Sequence, residues 1–113
     1  MGRDEVEHIT IDEFRRLDIR VAKVRSATRV PGTDKLIEIE VDIGSEVRRM
    51  ITGIYPIYDP QELVGRRIIV LANLQPRKVR GVESNGMLLA AEWGGEIGLL
   101  TVDKAAPAGA RIT

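Results

Sequence analysis

The sequence predicts an all-β protein built on a five-stranded barrel, and three observations support this fold class. Several segments are rich in β-branched residues or alternate apolar with polar side chains, which is typical of strands with one buried face. Gly, Pro, Asn and Asp residues separate these segments and predict turns. The chain has 113 residues and no Cys, so we expect one domain without disulfides or thiolate-held zinc.

The N-terminal region predicts a tail followed by a short helix. We expect residues 1–9 to form a flexible tail and residues 10–113 to form the folded domain. Thr10 and Glu13 have the spacing of a capping box, which predicts a helix of about two turns. Phe14 and Leu17 would then share one face of this helix.

Five strands and a second helical turn follow in an interpretable order. The predicted strands are residues 19–30, 37–43, 47–54, 67–74 and 86–93. Asp59 can cap a helical turn that Pro60 begins and Gly65 ends, between strands 3 and 4. Residues 75–85 read as a long hairpin loop between the fourth and fifth strands, and residues 94–113 as a C-terminal extension. This order is that of an OB-fold barrel, the alternative being another small antiparallel barrel with a helical plug.

No enzyme motif is complete in this chain. Residues 81–86 have the spacing of a phosphate-binding loop, but Met87 and Leu88 stand where Lys and Ser or Thr are needed. Ser84 has no base to activate it, because the only histidine, His8, lies in the predicted tail. We therefore expect no catalysis and no cofactor. No apolar run has the length of a membrane span, so we expect a cytoplasmic protein that does not bind membranes.

Charged residues are segregated along a chain whose formal net charge is zero. Residues 15–29 carry six basic residues and one acidic residue, and residues 64–87 carry five and one. Residues 34–46 reverse the balance, with five acidic residues and one basic residue. The acidic residues of the second strand alternate with apolar ones, which is typical of a solvated strand face rather than a metal site.

Basic residues also lie in the two loops that flank the binding face of an OB barrel. Lys35 lies in the loop between strands 1 and 2, and Arg77, Lys78 and Arg80 lie in the loop between strands 4 and 5. We expect these side chains to contact a phosphate backbone, the alternative being ordinary solvated loop cations. The four aromatic residues are too few and too scattered for generic single-strand binding, so a folded RNA is favoured.

Four stretches resemble the tRNA-binding domain family, namely residues 17–24, 30–36, 41–44 and 73–89. The last of them reads Asn-Leu-Gln-Pro-Arg-Lys-Val-Arg-Gly-Val-Glu-Ser-Asn-Gly-Met-Leu-Leu and is highly specific. This family occurs as the C-terminal domain or free-standing β-subunit of methionyl-tRNA synthetases, in endothelial monocyte-activating polypeptide II and in CsaA export chaperones. The resemblance covers nearly all of the chain from Thr10 to Thr113.

The resemblance implies a non-catalytic OB-fold that binds tRNA by its shape and aids an aminoacyl-tRNA synthetase in trans, most simply the methionyl enzyme. It also implies a homodimer formed through the N-terminal helix and the C-terminal extension. The residues that match the family's RNA-binding motif are Lys35, Asn73, Arg77, Lys78, Arg80, Ser84 and Met87. Met87 has an alternative place in the core, and Val30 replaces a His that many members carry.

Two other functions remain open at this point. A CsaA-like chaperone would bind unfolded preproteins, although the sequence retains the Asp-Lys-Leu and Ser-x-Gly-Met patterns that CsaA-type sequences generally lack. A purely structural subunit of a synthetase complex would leave the loop cations without a function.

Overall fold

A five-stranded antiparallel sheet curls into a nearly closed barrel in this computed structural model, which describes residues 6–113. The elements are α1 (Ile11–Arg15), β1 (Ile19–Arg29), β2 (Ile37–Asp42), β3 (Val47–Thr52), α2 (Pro60–Leu63), β4 (Arg67–Leu71), β5 (Arg77–Val79), β6 (Val82–Ser84), β7 (Met87–Leu88), β8 (Ala90–Trp93) and β9 (Glu96–Leu99). The barrel strands lie in the order β3-β2-β1-β4-β7, and β5-β6 and β8-β9 form two separate hairpins. The predicted all-β fold class is confirmed.

Alternation along the strands builds the core as the sequence predicts. In β2 the side chains of Ile37, Ile39 and Val41 are buried, while the acidic residues between them are partly exposed. The long central strand β1 pairs with both β2 and β4, with a bulge between Val24 and Ser26 that lets it bend around the barrel. One face of β1 therefore contributes to the main core over most of its length.

Both predicted helices form, each with a complete capping box. Thr10 Oγ1 accepts a hydrogen bond from the Glu13 N–H at 3.0 Å, and Glu13 Oε1 accepts one from the Thr10 N–H at 2.8 Å. Asp59 and Glu62 make the equivalent reciprocal pair at α2, which begins at Pro60. These bonds satisfy N–H groups that the first helical turn leaves unpaired.

The described part of the predicted tail has no regular structure, whereas the C-terminal residues pack along β1. Of the tail, residues 1–5 lie outside the described residues, and residues 6–9 precede α1 without regular structure. The C-terminal residues return along β1, where the Ile112 N–H donates to the Ile19 carbonyl at 2.9 Å and the Val21 N–H donates to the Ala110 carbonyl at 2.8 Å. No helix within residues 6–113 is long and apolar enough to cross a membrane.

The structure adds detail to residues 75–85 and corrects the prediction for residues 86–93. The predicted long hairpin loop contains two short strands, since β5 and β6 pair with a two-residue turn at Arg80 and Gly81. Residues 86–93 are not one strand, so that prediction was wrong. The chain leaves the barrel after β7, and β8 pairs with β9, which lies in the segment read as a C-terminal extension.

The barrel closes where β3 meets residues 84–87, and this closure needs a glycine. Gly86 has a φ of +119°, and a Cβ added there would lie 2.6 Å from Met50 Cε and 2.9 Å from the Leu71 carbonyl oxygen. Only a residue without a side chain lets the backbone pass this close to the Leu71 carbonyl of β4 and to the Met50 side chain of β3. Gly86 therefore brings β7 to its place beside β4.

At the seam where β3 meets residues 84–87, the side chain of Ser84 supplies a hydrogen bond to the backbone of β3. Its side chain is fully buried, and its Oγ accepts from the Ile51 N–H at 3.0 Å and donates to the Gly86 carbonyl at 3.4 Å. The Asn85 N–H donates to the Arg49 carbonyl at 2.8 Å in the same seam. The β5–β6 hairpin is thereby fastened to β3.

Replacing Gly86 should destabilise the barrel by more than the strain of a positive φ angle alone. We expect Gly86→Ala to lower the free energy of unfolding by about 2–4 kcal/mol, because a clash adds to the strain of a positive φ. The control is Gly65→Ala, where φ is +88° but no atom lies within 4 Å of an added Cβ; it should cost about 1–2 kcal/mol. Urea unfolding measures both values, and equal losses would contradict the clash.

Removing the Ser84 hydroxyl should leave the Ile51 N–H buried without a partner. We expect Ser84→Ala to lower the free energy of unfolding by about 1–3 kcal/mol. The matched control is Ser26→Ala, whose hydroxyl donates to Glu40 on the exposed surface, and whose cost should stay within about 0.5 kcal/mol. Similar losses for the two variants would show that the seam does not depend on Ser84.

Candidate nucleic-acid interface

The β5–β6 hairpin carries an exposed cluster of basic side chains. Arg77, Lys78 and Arg80 are all exposed, and within residues 6–113 none of them forms an ion pair. Most other arginines of the barrel surface are engaged, for example Arg49, whose Nε lies 3.0 Å from Glu38 Oε2. The three hairpin cations are therefore available to a negatively charged ligand.

The direction of the hairpin follows from how its base is fastened. Asn85 contacts Arg49 and Ser84 contacts Ile51, so β6 runs antiparallel along β3. The tip at Arg80 is consequently directed toward the Thr52 end of β3, which adjoins the loop between β1 and β2. This geometry could not be predicted from the sequence, because it depends on a contact between residues 33 positions apart.

Lys35 lies at that same end of the barrel. Its side chain is exposed, and its carbonyl accepts a hydrogen bond from the Tyr55 N–H at 3.0 Å. Arg29 adds a cation that sequence reasoning did not nominate: its guanidinium lies 3.9 Å from the centroid of the Tyr55 ring and donates to the Thr33 carbonyl at 2.9 Å. No sequence pattern pairs Arg29 with Tyr55, because Arg29 ends β1 and Tyr55 follows β3.

Met87 belongs to the surface rather than to the core. Its side chain is 38% exposed, and it borders a depression of about 310 Å³ next to Thr52 and Gly53. Met87 therefore joins Lys35 and the hairpin tip around the end of β3. An apolar side chain at this position can contact an unstacked base.

The structure places two of the seven predicted site residues differently. Ser84 lies under the hairpin, with its hydroxyl held between Ile51 and Gly86, so in this structure it fastens the hairpin to β3. Asn73 lies beyond the end of β4 and borders a groove together with Glu83 and Asn85. Its Oδ1 accepts from the Asp18 N–H at 2.9 Å, and its Nδ2 donates to the Arg16 carbonyl at 2.7 Å, which ties α1 to the end of β4.

One titratable group near Asn73 has a shifted pKa. The Arg20 guanidinium donates a hydrogen bond to Asp18 Oδ1 at 2.7 Å, and this bond lowers the pKa of the Asp18 carboxyl below its usual value. The pair stabilises the start of β1. It lies away from the basic hairpin and does not form part of the cationic surface.

A further groove on the barrel surface has mixed charge. It has a volume of about 700 Å³ and is bordered by Arg48 and Arg49 and by Glu40, Glu46 and Glu83. Arg48 Nη2 lies 2.7 Å from Glu46 Oε2, and its Nη1 donates to the Ala72 carbonyl at 2.7 Å. Because these cations are neutralised, the groove is less suited to a polyanion than the hairpin and Lys35 are.

Comparison with known proteins identifies the family. Residues 19–111 match the family model described as "Putative tRNA binding domain". The methionine–tRNA ligase of Caldanaerobacter subterraneus subsp. tengcongensis is 46% identical over 110 residues, which is 97% of this chain and 17% of that protein. The ligase of Methanothrix thermoacetophila is 52% identical over 104 residues, 92% of this chain and 15% of that protein. The chain thus spans about a sixth of the length of these relatives.

Solved structures give the same result. A MetRS-related protein from Pyrococcus horikoshii superposes with a TM-score of 0.90 at 40% identity, over 96% of this chain and 100% of that one. The chaperone CsaA from Bacillus anthracis superposes with a TM-score of 0.85 at 27% identity, over 95% and 100% of the two chains. The chain belongs to the tRNA-binding domain family and is related to a segment of methionine–tRNA ligases.

Proposed function

We propose that this chain is a non-catalytic module that binds folded tRNA through the β5–β6 hairpin and Lys35. The observation that carries the proposal is the set of exposed, unpaired cations on a hairpin fastened to the barrel. Basic side chains that neutralise phosphates release counterions, which supplies affinity without reading the sequence of the RNA. A rigid hairpin adds selectivity for shape, as expected for a folded RNA.

The backbone at Arg80 supports a functional role for its side chain. Arg80 has a φ of +53°, and it is the one non-glycine residue within residues 6–113 with a positive φ. Gly or Asn adopts this conformation at lower cost, and a left-handed conformation costs other residues about 1–2 kcal/mol. A strained residue at an exposed hairpin tip is accounted for if its guanidinium contacts the ligand.

The module would act in trans, delivering tRNA to a separate aminoacyl-tRNA synthetase, with the methionyl enzyme as the expected partner. Support comes from relatives that are methionine–tRNA ligases and from the MetRS-related protein covered over its whole length. Raising the local concentration of tRNA near the enzyme would increase its effective affinity. The chemistry would take place on the synthetase, in the cytoplasm, where tRNA is charged.

A homodimer would give each assembly two copies of the cationic surface. Apolar side chains of the N-terminal region are exposed, including Ile9, Ile11 and Leu17. Ile11 and Leu17 also border a cleft of about 440 Å³ that extends to Phe14 and Ile112, so α1 and the C-terminal residues form one apolar surface. Pairing two such surfaces would bury side chains that a monomer leaves in water.

A chaperone function is the second candidate. The similarity to CsaA favours it, although the identity of 27% is lower than the 40–52% found for methionine–tRNA ligases and the MetRS-related protein. In that case the exposed apolar surfaces, rather than the cations, would bind the ligand, an unfolded polypeptide.

Neutralising the hairpin should weaken tRNA binding and its dependence on salt. For Lys78→Ala/Arg80→Ala, we expect lower affinity for mixed tRNA and a slope of log K against log salt that is shallower by about 1.5, because two phosphate contacts are lost. Fluorescence anisotropy of labelled tRNA across a salt series measures both. The control is Arg25→Ala/Lys104→Ala, which removes the same two charges from other exposed sites.

Equal slopes for the two double variants would place the phosphate contacts elsewhere on the chain. Absence of tRNA binding by the unaltered chain at low salt, together with binding of an unfolded polypeptide, would favour the chaperone function.

Arg80→Gly should separate binding from stability. Glycine relieves the positive φ, so we expect the free energy of unfolding to stay constant or to rise by about 1 kcal/mol. The affinity for tRNA should fall because the guanidinium is lost. Chemical denaturation and anisotropy provide the two measurements, and a less stable variant that binds tRNA normally would assign Arg80 to the fold instead.

The proposed dimer should depend on the apolar surface of α1. Sedimentation equilibrium of the unaltered chain should give twice the monomer mass of 12.5 kDa, and Ile11→Asp/Leu17→Asp should give the monomer. Val64→Asp, at an equally exposed apolar residue near α2, is the control and should remain dimeric. A monomeric unaltered chain at micromolar concentration would refute the dimer.

A further inference from the structure

A second pocket adjoins the cationic surface and contains two aromatic side chains. It has a volume of about 510 Å³, within the roughly 300–1,000 Å³ range of small-ligand sites, and lies between the loop after β1 and the tip of the β8–β9 hairpin. The charged and aromatic residues that line it are Lys35, Tyr55, Glu92, Trp93 and Glu96.

The side chain of Trp93 packs against its own hairpin and is also exposed to solvent, where it can contact a ligand. The residue directly precedes the turn of the β8–β9 hairpin and is paired in register with Glu96. A Cβ added to Gly98 would lie 3.2 Å from Trp93 Cη2 and Cζ3, so the indole rests against the strand at the position where the side chain is missing. The ring is nevertheless 60% exposed. One part of the indole is supported by the hairpin, and the remainder is open to a planar group.

The charges around the indole match the two ends of a nucleotide. Lys35 lines the pocket, and Arg29 lies on the ring of Tyr55, which also lines it, so cations are available for a phosphate. Glu92 and Glu96 line the pocket as well. Glu96 is paired with Trp93 and shares its face of the hairpin, whereas Glu92 is paired with Ile97 on the opposite face. Carboxylates repel phosphate but accept hydrogen bonds from the exocyclic amino groups of bases, as Glu and Asp do from cytosine N4.

We infer that this pocket binds one unpaired nucleotide of the RNA, with its base stacked on Trp93 and its amino group facing Glu96, which shares the face of the hairpin with Trp93. The inference rests on the proposed function, because the cationic hairpin supplies most of the affinity and the pocket adds a contact to a base that is not in a duplex. Aromatic stacking is tolerant of sequence, whereas the Glu96 carboxylate favours a base with an exocyclic amino group over uracil, whose base offers one donor, N3–H.

Trp93 is the sole tryptophan of the chain, so its fluorescence reports on this pocket alone. Addition of mixed tRNA should quench it. Trp93→Ala should weaken tRNA binding, measured by anisotropy, by roughly 5- to 150-fold, which is the range for loss of one stacked base. The salt slope should be unchanged because no charge is removed. Trp93→Phe should restore most of the affinity, and Leu100→Ala, at another exposed apolar residue, should have no effect.

The results distinguish failure of this inference from failure of the proposed function. If tRNA binds normally without quenching Trp93 fluorescence, and if Trp93→Ala loses no affinity, the inference about the pocket is overturned. The hairpin would then remain as the binding surface. Absence of tRNA binding by anisotropy would overturn both. Quenching by a reduced, carboxymethylated unfolded protein that competes with tRNA would also overturn the inference, since the pocket would then hold polypeptide.

The base preference gives an independent measurement. Five-residue oligocytidylate should quench Trp93 at lower concentration than oligouridylate of the same length. Glu96→Gln should reduce this preference, because the glutamine amide offers a donor to uracil oxygens as well as an acceptor. Glu92→Gln, on the opposite face of the hairpin, is the control and should leave the preference unchanged. Equal quenching by both oligonucleotides in the unaltered chain would show that the Glu96 carboxylate does not read the base.

Discussion

The closure of the barrel between β3 and residues 84–87 is the contact on which the other features depend. At this seam the backbone approaches Met50 so closely that residue 86 has no room for a side chain. The Ser84 hydroxyl takes the place of a ladder hydrogen bond to Ile51. A buried N–H without a partner is costly, so this single hydroxyl both stabilises the seam and determines where the next hairpin can lie.

The position of the β5–β6 hairpin explains how a neutral chain can present a cationic surface. The acidic residues of β2 are used within the barrel wall, where Glu38 pairs with Arg49, Glu40 accepts from Ser26, and the Asp42 carboxylate accepts from the Gly44 N–H. The hairpin cations form no ion pair within residues 6–113 and keep their charge available. Segregation of charge along the sequence thus becomes segregation in space.

Two kinds of contact meet at the same end of β3. In the proposed function, the cations of the hairpin and Lys35 bind phosphates irrespective of sequence. The aromatic surface beside Trp93 would bind only an exposed base. A ligand that engages both must combine a folded backbone with an unpaired nucleotide, which is a property of structured RNA rather than of duplex or extended single strands.

The sequence by itself determined the features that depend on neighbours a few residues apart. The alternation of β2, the two capping boxes and the basic residues of both loops could all be predicted, because each follows from local periodicity, side-chain chemistry or spacing. Family resemblance added the tRNA-binding role. Only the tertiary structure decided that residues 86–93 divide between two sheets, since strand exchange depends on partners far along the chain. The burial of Ser84, the hydrogen bonds of the Asn73 amide and the presence of Trp93 and Tyr55 on one pocket were decided in the same way, by contacts that no local pattern encodes.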